Sequence, residues 1–324
     1  PLLLSIPTGG GKTEAFLIPV IAHLYDRKLA ALRTQEPLSS KIRALILYPT
    51  RALANDQAKR ITEILYALNS ELVEDNKVTV GVLTGDTPNS GYNFSTEKSL
   101  LQVCPACSAV LTDFPERETL DGNKLHYARC SCGAEIDFFR LTRWDILDAP
   151  PDVLITSPDM INRTLQSPRY HRVLFGDAIE AVIFDEIHMY EGVFGCNVAH
   201  LLRRFEEVCG RRPLYVGVSA TIRNAKALAS LIFDSALDQV SYLRPAREDT
   251  AITDEKRPYI DYEVSPDRYR YHYAVAPASF KDRFQKTVTA TLNIADALGH
   301  MVRDPHFRKT LIFANFRQDT DDIV

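Results

Sequence analysis

Three consecutive glycines, Gly9 to Gly11, run straight into Lys12 and Thr13, and the apolar stretch Leu2 to Ile6 leads up to them. A glycine-rich turn between a strand and a helix strongly limits what the chain can become. Backbone without side chains lets N–H groups close around phosphate oxygens, and the helix N-terminus that follows adds a favourable dipole. In such a loop Lys12 reaches the β- and γ-phosphates of ATP, and the Thr13 hydroxyl binds Mg²⁺. The expected nucleotide-binding residues are thus Thr8, Gly9, Gly10, Gly11, Lys12 and Thr13. The general phosphate-loop pattern starts with glycine, where this chain has Ile6. A glycine turn of purely structural use is the bland alternative, and the Lys-Thr pair weighs against it.

Apolar strand-like runs recur along the chain: Leu2–Ile6, Ala44–Tyr48, Val78–Leu83, Val153–Thr156, Ala181–Phe184, Leu214–Val218 and Thr310–Ala314. They alternate with helix-like stretches, which predicts an α/β fold with a parallel sheet buried on both faces. Polar or glycine-rich segments follow nearly all of them, and in open α/β sheets such loops converge on one crevice. Val182-Ile183-Phe184 ends in Asp185-Glu186, with His188 three places after Asp185. An acid pair after a strand is common on solvated loops. Downstream of a phosphate loop it gains meaning: Asp185 holds Mg²⁺ through water, and Glu186 orients and deprotonates the attacking water. Lys12, Asp185, Glu186 and His188 form the candidate catalytic set.

The chain of 324 residues is long enough for two domains, and its 45% hydrophobic and 25% charged content is ordinary for a soluble α/β protein. No apolar run approaches the ~18 residues of a membrane span, and no secretory signal is visible, so a cytoplasmic protein without a membrane partner is expected. A net charge of −4 gives no basic footprint, so any nucleic-acid role must rest on local motifs. The first residue is Pro1, and both ends cut through expected secondary structure, as in a piece of a longer protein.

Residues 88–148 break the strand–helix rhythm and read as an inserted module. Within it, Cys104-Pro-Ala-Cys107 and Cys130-Ser-Cys132-Gly133 are two thiol pairs separated by 22 residues. A hairpin bringing such pairs together makes a tetrahedral Zn²⁺ site, with Cys104, Cys107, Cys130 and Cys132 as ligands. Ser108 stands where glycine is frequent, and the second pair has one intervening residue instead of two. His126 is a substitute ligand if that tight pair cannot chelate, and isolated reduced thiols are the other reading. A ~60-residue polar insert without metal would struggle to fold. Cys196 and Cys209 follow the acid pair and read as ordinary core or surface thiols.

The ordered motifs resemble those of superfamily 2 DExH-box helicases. PTGGGKT looks like motif I, Tyr48-Pro-Thr-Arg-Ala-Leu-Ala-Asn-Asp-Gln57 like motif Ia, Thr84-Gly-Asp-Thr87 like motif Ib, and Ile155-Thr-Ser-Pro-Asp-Met160 like motif Ic. Asp185-Glu-Ile-His188 resembles motif II, Ser219-Ala-Thr221 motif III, and Leu311-Ile-Phe-Ala-Asn-Phe-Arg317 motif IV. Motif Ia and the run Tyr190-Glu-Gly-Val-Phe-Gly195 are similar to the MrfA/YprA type of DNA-repair helicase, with Lhr more distant; helicases of anti-phage systems such as DISARM are also similar. The resemblance covers about residues 1–87, 149–235 and 308–324, and leaves the insertion unexplained.

It implies a RecA-like first domain at 1–87 and 149–243 and the start of a second RecA-like domain at 308–324; the zinc-ribbon-like insertion at 88–148 and a connector at 244–307, rich in Pro, Tyr and charge in its first part, are read from the residues themselves. It also implies a groove for one nucleic-acid strand, DNA rather than RNA, lined by Pro49, Thr50, Arg51, Thr84, Gly85, Asp86, Thr156 and Ser157. Ser219, Ala220 and Thr221 would couple hydrolysis to domain movement. Arginines of the second domain would lie past Val324, so the chain alone is expected to be a weak ATPase. A protein partner in a repair or defence complex is a further implication.

Other segments stay open. Tyr269, Tyr271 and Tyr273 alternate with Arg268, Arg270 and His272, which suits base stacking. The same alternation describes one half-buried strand, the reading the spacing favours. Two rivals to a motor remain: a nucleotide-gated DNA clamp, and a different P-loop enzyme that binds no nucleic acid.

Overall fold

The computed structural model describes residues 1–6, 11–34, 40–70, 72, 77–89, 99–118, 122, 124–219 and 224–243, with the backbone of two short strands at 280–281 and 287–288. The chain divides into two units, Pro1–Glu248 and Asp249–Val324. In the second, Phe280–Lys281 pairs antiparallel with Thr287–Val288. The strand expected at Thr310–Ala314, the motif IV-like segment and the Tyr269–Tyr273 alternation lie outside the described residues, as do Thr8, Gly9, Gly10, Ala220 and Thr221.

In the first unit the elements are β1 (Leu2–Ser5), α1 (Lys12–Thr34), β2 (Ala44–Leu47), α2 (Arg51–Asn69) and β3 (Val80–Leu83). Five short strands follow: β4 (Glu116–Glu118), β5 (Lys124–His126), β6 (Ala128–Arg129), β7 (Glu135–Ile136) and β8 (Phe139–Arg140). Then come α3 (Arg143–Asp148), β9 (Val153–Thr156), α4 (Pro158–Gln166), α5 (Pro168–Leu174), β10 (Ala181–Phe184), α6 (Gly192–Cys209), β11 (Leu214–Ser219), α7 (Ala225–Ile232) and β12 (Ser241–Leu243). No helix among the described residues is long and apolar enough to cross a membrane.

Eight strands form one sheet in the order β12-β1-β11-β10-β2-β9-β3-β8, and every neighbouring pair is parallel. The period of two sorts side chains onto two cores. Leu4, Ile46, Val80, Val82, Ile155, Ile183 and Val218 face α1 and α2. Leu3, Leu45, Leu47, Leu154, Val182 and Phe184 face α3 to α7. The expected strands are present, with small differences at their ends. Val78 was expected in β3 but stops short of it. The Asn69 side chain donates to its carbonyl at 3.0 Å and accepts its N–H at 2.9 Å, so the ladder starts two residues later.

The two faces are covered unequally. Eight strands about 4.8 Å apart span roughly 35 Å, whereas two helices about 10 Å across cover roughly 20 Å. The inserted segment fills one end of the shortfall. Leu101, Cys104, Leu111, Ala128, Cys130, Ile136 and Phe138 join α2 and β3 in a single core, and β8 extends the main sheet beside β3. The module is therefore a wall of the domain, not a satellite looped away from it. At the other end, a cavity of about 440 Å³ lies between α1 and the starts of β1, β10 and β11.

The corner after the acid pair explains the glycines of Tyr190–Gly195. Gly192 opens α6 at φ +57, in the left-handed region that glycine adopts at little cost. A Cβ on Gly195 would run into the Tyr190 carbonyl oxygen and come within 2.9 Å of its carbon. Backbone cannot swing aside as a side chain can. Gly195→Ala is expected to destabilise the domain by about 1–3 kcal/mol, read as a lower thermal midpoint with the fold retained.

Candidate functional site

Parallel register sets the site. Ser5 pairs with Ser219, Phe184 with both Gly217 and Leu47, and Thr156 with both Leu47 and Leu83. The carboxyl ends of β1, β11, β10, β2, β9 and β3 therefore form one continuous edge. The first three bear the phosphate-loop residues, Ser219 and the acid pair. The next three bear Pro49–Arg51, Thr156–Ser157 and Thr84–Asp86.

In the first half, Gly11 has φ +81 and its carbonyl accepts the Ala15 N–H at 3.0 Å, which turns the chain into α1 at Lys12. Thr13 is buried one residue on. Lys12 donates to Glu186 through a short ion pair that spans from α1 to the end of β10. Glu186 itself sits at φ 48, ψ 50, a left-handed conformation that costs a non-glycine residue about 1–2 kcal/mol. The kink turns its N–H back onto Asp185 Oδ1 at 2.9 Å. Burial raises the Asp185 carboxyl to about 6; the Glu186 N–H opposes this, the Glu186 carboxylate adds to it, and Lys12 and His188 lower it. His188 Nδ1 lies 3.0 Å from Ser219 Oγ and 3.3 Å from Glu186 Oε2. Lys12, Asp185, Glu186, His188 and Ser219 are thus brought together.

In the second half, Thr50 caps α2, accepting the Leu53 N–H at 3.3 Å, and Ser157 caps α4, accepting the Met160 N–H at 3.4 Å. Both helix N-termini open onto the edge. Arg51 is exposed and donates to Asp86 at 2.7 Å. The hydroxyls of Thr84 and Thr156, two of the residues expected to line the groove, are engaged by neighbouring backbone. Both are buried: Thr156 donates to the Leu83 carbonyl at 2.7 Å, and Thr84 accepts the Asp86 N–H at 3.3 Å. Thr50, Arg51, Gly85, Asp86 and Ser157 remain accessible.

A residue that motif reading missed holds this half together. Arg143, at the start of α3, donates to the carbonyls of Thr84 at 2.8 Å and Thr87 at 3.0 Å. Nothing in the sequence marks it, because its acceptors are backbone atoms.

The four cysteines meet, with all sulfur atoms within 4.8 Å of one another. Cys104 and Cys132 are 3.9 Å apart, Cys107 and Cys130 3.5 Å. A tetrahedral zinc with Zn–S of about 2.3 Å sets sulfurs about 3.8 Å apart, so the donor set fits that ion. Each pair lies in a tight turn, the first closed by Ser108 at φ 61 and the second by Gly133 at φ 91. Serine thus takes the left-handed position usually given to glycine. The Cys132 N–H helps lower the Cys130 thiol to about 6. At Cys107 the Ala109 N–H acts in the same direction, but the neighbouring sulfurs outweigh it and push the thiol up to about 12. His126 is no ligand here: its Nδ1 lies 2.9 Å from Asp145, and its Nε2 3.3 Å from Glu116. Cys209 is buried and Cys196 exposed, as expected.

A fully parallel sheet whose strand ends gather a phosphate-loop lysine, an acid pair and a serine–histidine contact defines the RecA-like fold of P-loop NTPases. Within that class the chain belongs to the DEAD/DEAH box helicase family, whose model matches residues 1–118 and 137–228. It is 25% identical over 225 residues to the Bacillus subtilis protein named uncharacterized ATP-dependent helicase YprA, covering 68% of this chain and 21% of that one. To Druantia protein DruE of Escherichia coli it is 27% identical over 264 residues, 65% of this chain and 14% of the relative. The chain therefore spans about a fifth or less of these relatives. The crystal structure of the DUF1998 helicase MrfA superposes over 99% of this chain and 34% of its own, with a TM-score of 0.55 and 19% identity, a likeness of fold.

Proposed function

We propose that the chain is the ATP-binding part of a DNA-directed motor of the helicase type. The observation that carries this reading is the division of one sheet edge into two adjoining halves. In the first, Lys12 and the N-terminus of α1 face the phosphates of ATP, with Thr8 to Gly11 forming the loop. Thr13 and Asp185 would hold Mg²⁺, which when bound neutralises charge on the β- and γ-phosphates. Glu186 takes the proton of the attacking water, its carboxylate held between Lys12 and His188. Ser219, through His188, senses the state of Glu186; with Ala220 and Thr221 it passes that state to the second domain.

In the other half, one strand lies with its phosphates on the helix N-termini behind Thr50 and Ser157, on Arg51 and on the Gly85 N–H. Such contacts read no sequence and need no large basic surface, which reconciles the motor with a net charge of −4. A carboxylate only accepts hydrogen bonds, so Asp86 acts by fixing Arg51 and does not touch phosphate. Thr84 and Thr156 shape the edge from below. Pro49 fixes the approach to α2. Residues 1–87 and 149–243 form the ATP-binding domain and 88–148 the inserted module, which holds Zn²⁺ on its four cysteines. Residues 244–307 connect to a second RecA-like domain beginning at 308. The motor acts in DNA repair or anti-phage defence together with a protein partner, a reading supported by the similarity to relatives named an ATP-dependent helicase and Druantia protein DruE.

ATP turnover of the full-length protein, with and without single-stranded DNA or RNA, tests this. Strong stimulation by DNA is expected. Turnover indifferent to both nucleic acids would remove the motor reading. Stimulation without strand displacement on forked DNA would favour a clamp.

A further inference from the structure

The row of strand ends does not stop at β3. β8 is the next strand in line, and the chain leaving it enters α3 at Arg143 and Trp144. Arg143 grips the Thr84 and Thr87 carbonyls, its own N–H donates to Pro88 at 2.8 Å, and the Trp144 N–H donates to Asn89 at 3.3 Å. The start of α3, with Trp144, is therefore zipped to the Thr84–Asn89 segment that carries Gly85. Its side chain has no structural excuse for its position. It is 46% exposed, although tryptophan is a large apolar residue whose burial would stabilise the fold. The Arg169 guanidinium lies over the ring at 4.9 Å. Arg169 forms no ion pair among the described residues, and the indole N–H finds no acceptor there. A half-exposed ring with a guanidinium over it is what an unstacked base and its phosphate require.

We propose that Trp144, backed by Arg169, is a stacking site for an unpaired base of the strand held at Gly85. The inference rests on the nucleic-acid reading above and adds a contact that no helicase motif supplies. It also gives the insertion a task, since the module delivers β8 and α3 to this edge. A duplex cannot use the site while its bases stay paired.

Trp144 is the only tryptophan in the chain, so its fluorescence reports on this site alone. Binding of labelled oligo-dT is followed by anisotropy, and Trp144 emission is followed in the same titration. The expected result is quenching whose midpoint coincides with the anisotropy curve. Blunt duplex of equal length should bind without quenching. Trp144→Ala should weaken oligo-dT binding roughly 5- to 100-fold, while Trp144→Phe keeps most of the affinity. Oligo-dT binding without any change in Trp144 emission, or equal quenching by blunt duplex, overturns the stacking site and leaves the groove standing. No binding of oligo-dT by the unaltered chain overturns both. Should Trp144→Ala fail to fold, the quenching measurement on the unaltered chain decides alone.

Discussion

Replacing Glu186 by Gln in the full-length protein is expected to lower ATP turnover by about 10²–10⁴-fold, the usual contribution of a positioned general base. Nucleotide affinity should stay equal to that of the unaltered protein or become tighter. Glutamine keeps the size of the side chain, its contact with His188 and the left-handed turn, but cannot accept a proton from water. The direction of the affinity change follows from Lys12. Its ammonium is paired with the Glu186 carboxylate, so that carboxylate competes with the γ-phosphate for it. A neutral amide competes less. Phosphate release and titration with a fluorescent nucleotide separate the two effects. Turnover that matches the unaltered protein would show that another group activates the water.

Removing the metal should have the second large effect. One zinc per chain is expected by elemental analysis, and Cys104→Ala or Cys130→Ala should abolish it. Both thiols are buried in the core shared with α2 and β3, so the module cannot come loose without opening the domain. Structural zinc is worth about 10 kcal/mol in isolated zinc-binding peptides, and each kcal/mol moves the midpoint of a domain this size by roughly 2–4 °C. A fall of about 10 °C or more is therefore expected even if much of the metal's contribution is lost to residual structure. The loss should also be uneven. β8, α3 and Arg143 form the last part of the module and hold the Thr84–Thr87 turn, whereas Lys12 and the acid pair stand at the other half of the edge. Single-stranded DNA affinity should fall more than nucleotide affinity. Full thermal stability in a zinc-free cysteine variant would overturn the structural role.

By itself the sequence determined what depends on neighbours along the chain. Six of the expected strands lie in the described residues and are present, because apolar β-branched runs of four to six residues leave no other way to bury both faces. The glycine run before Lys12, the acid pair after β10 and the two thiol pairs were legible because their chemistry is set by residues a few positions apart. Tertiary structure decided what depends on distant partners. Asn69 shortened β3, since a side chain from α2 took the backbone groups of Val78. The side chains of Thr84 and Thr156 went into the sheet's end, which a motif cannot reveal. The Cys-x-Cys pair met the first pair despite its spacing because Gly133 turns the chain there. His126 was drawn away from the four cysteines by Asp145. Arg143 and Trp144 acquired their places only when β8 docked beside β3, a pairing of two residues with no periodic signal. Local pattern specifies elements and their chemistry; which faces meet is settled by sheet order and by the core that covers it.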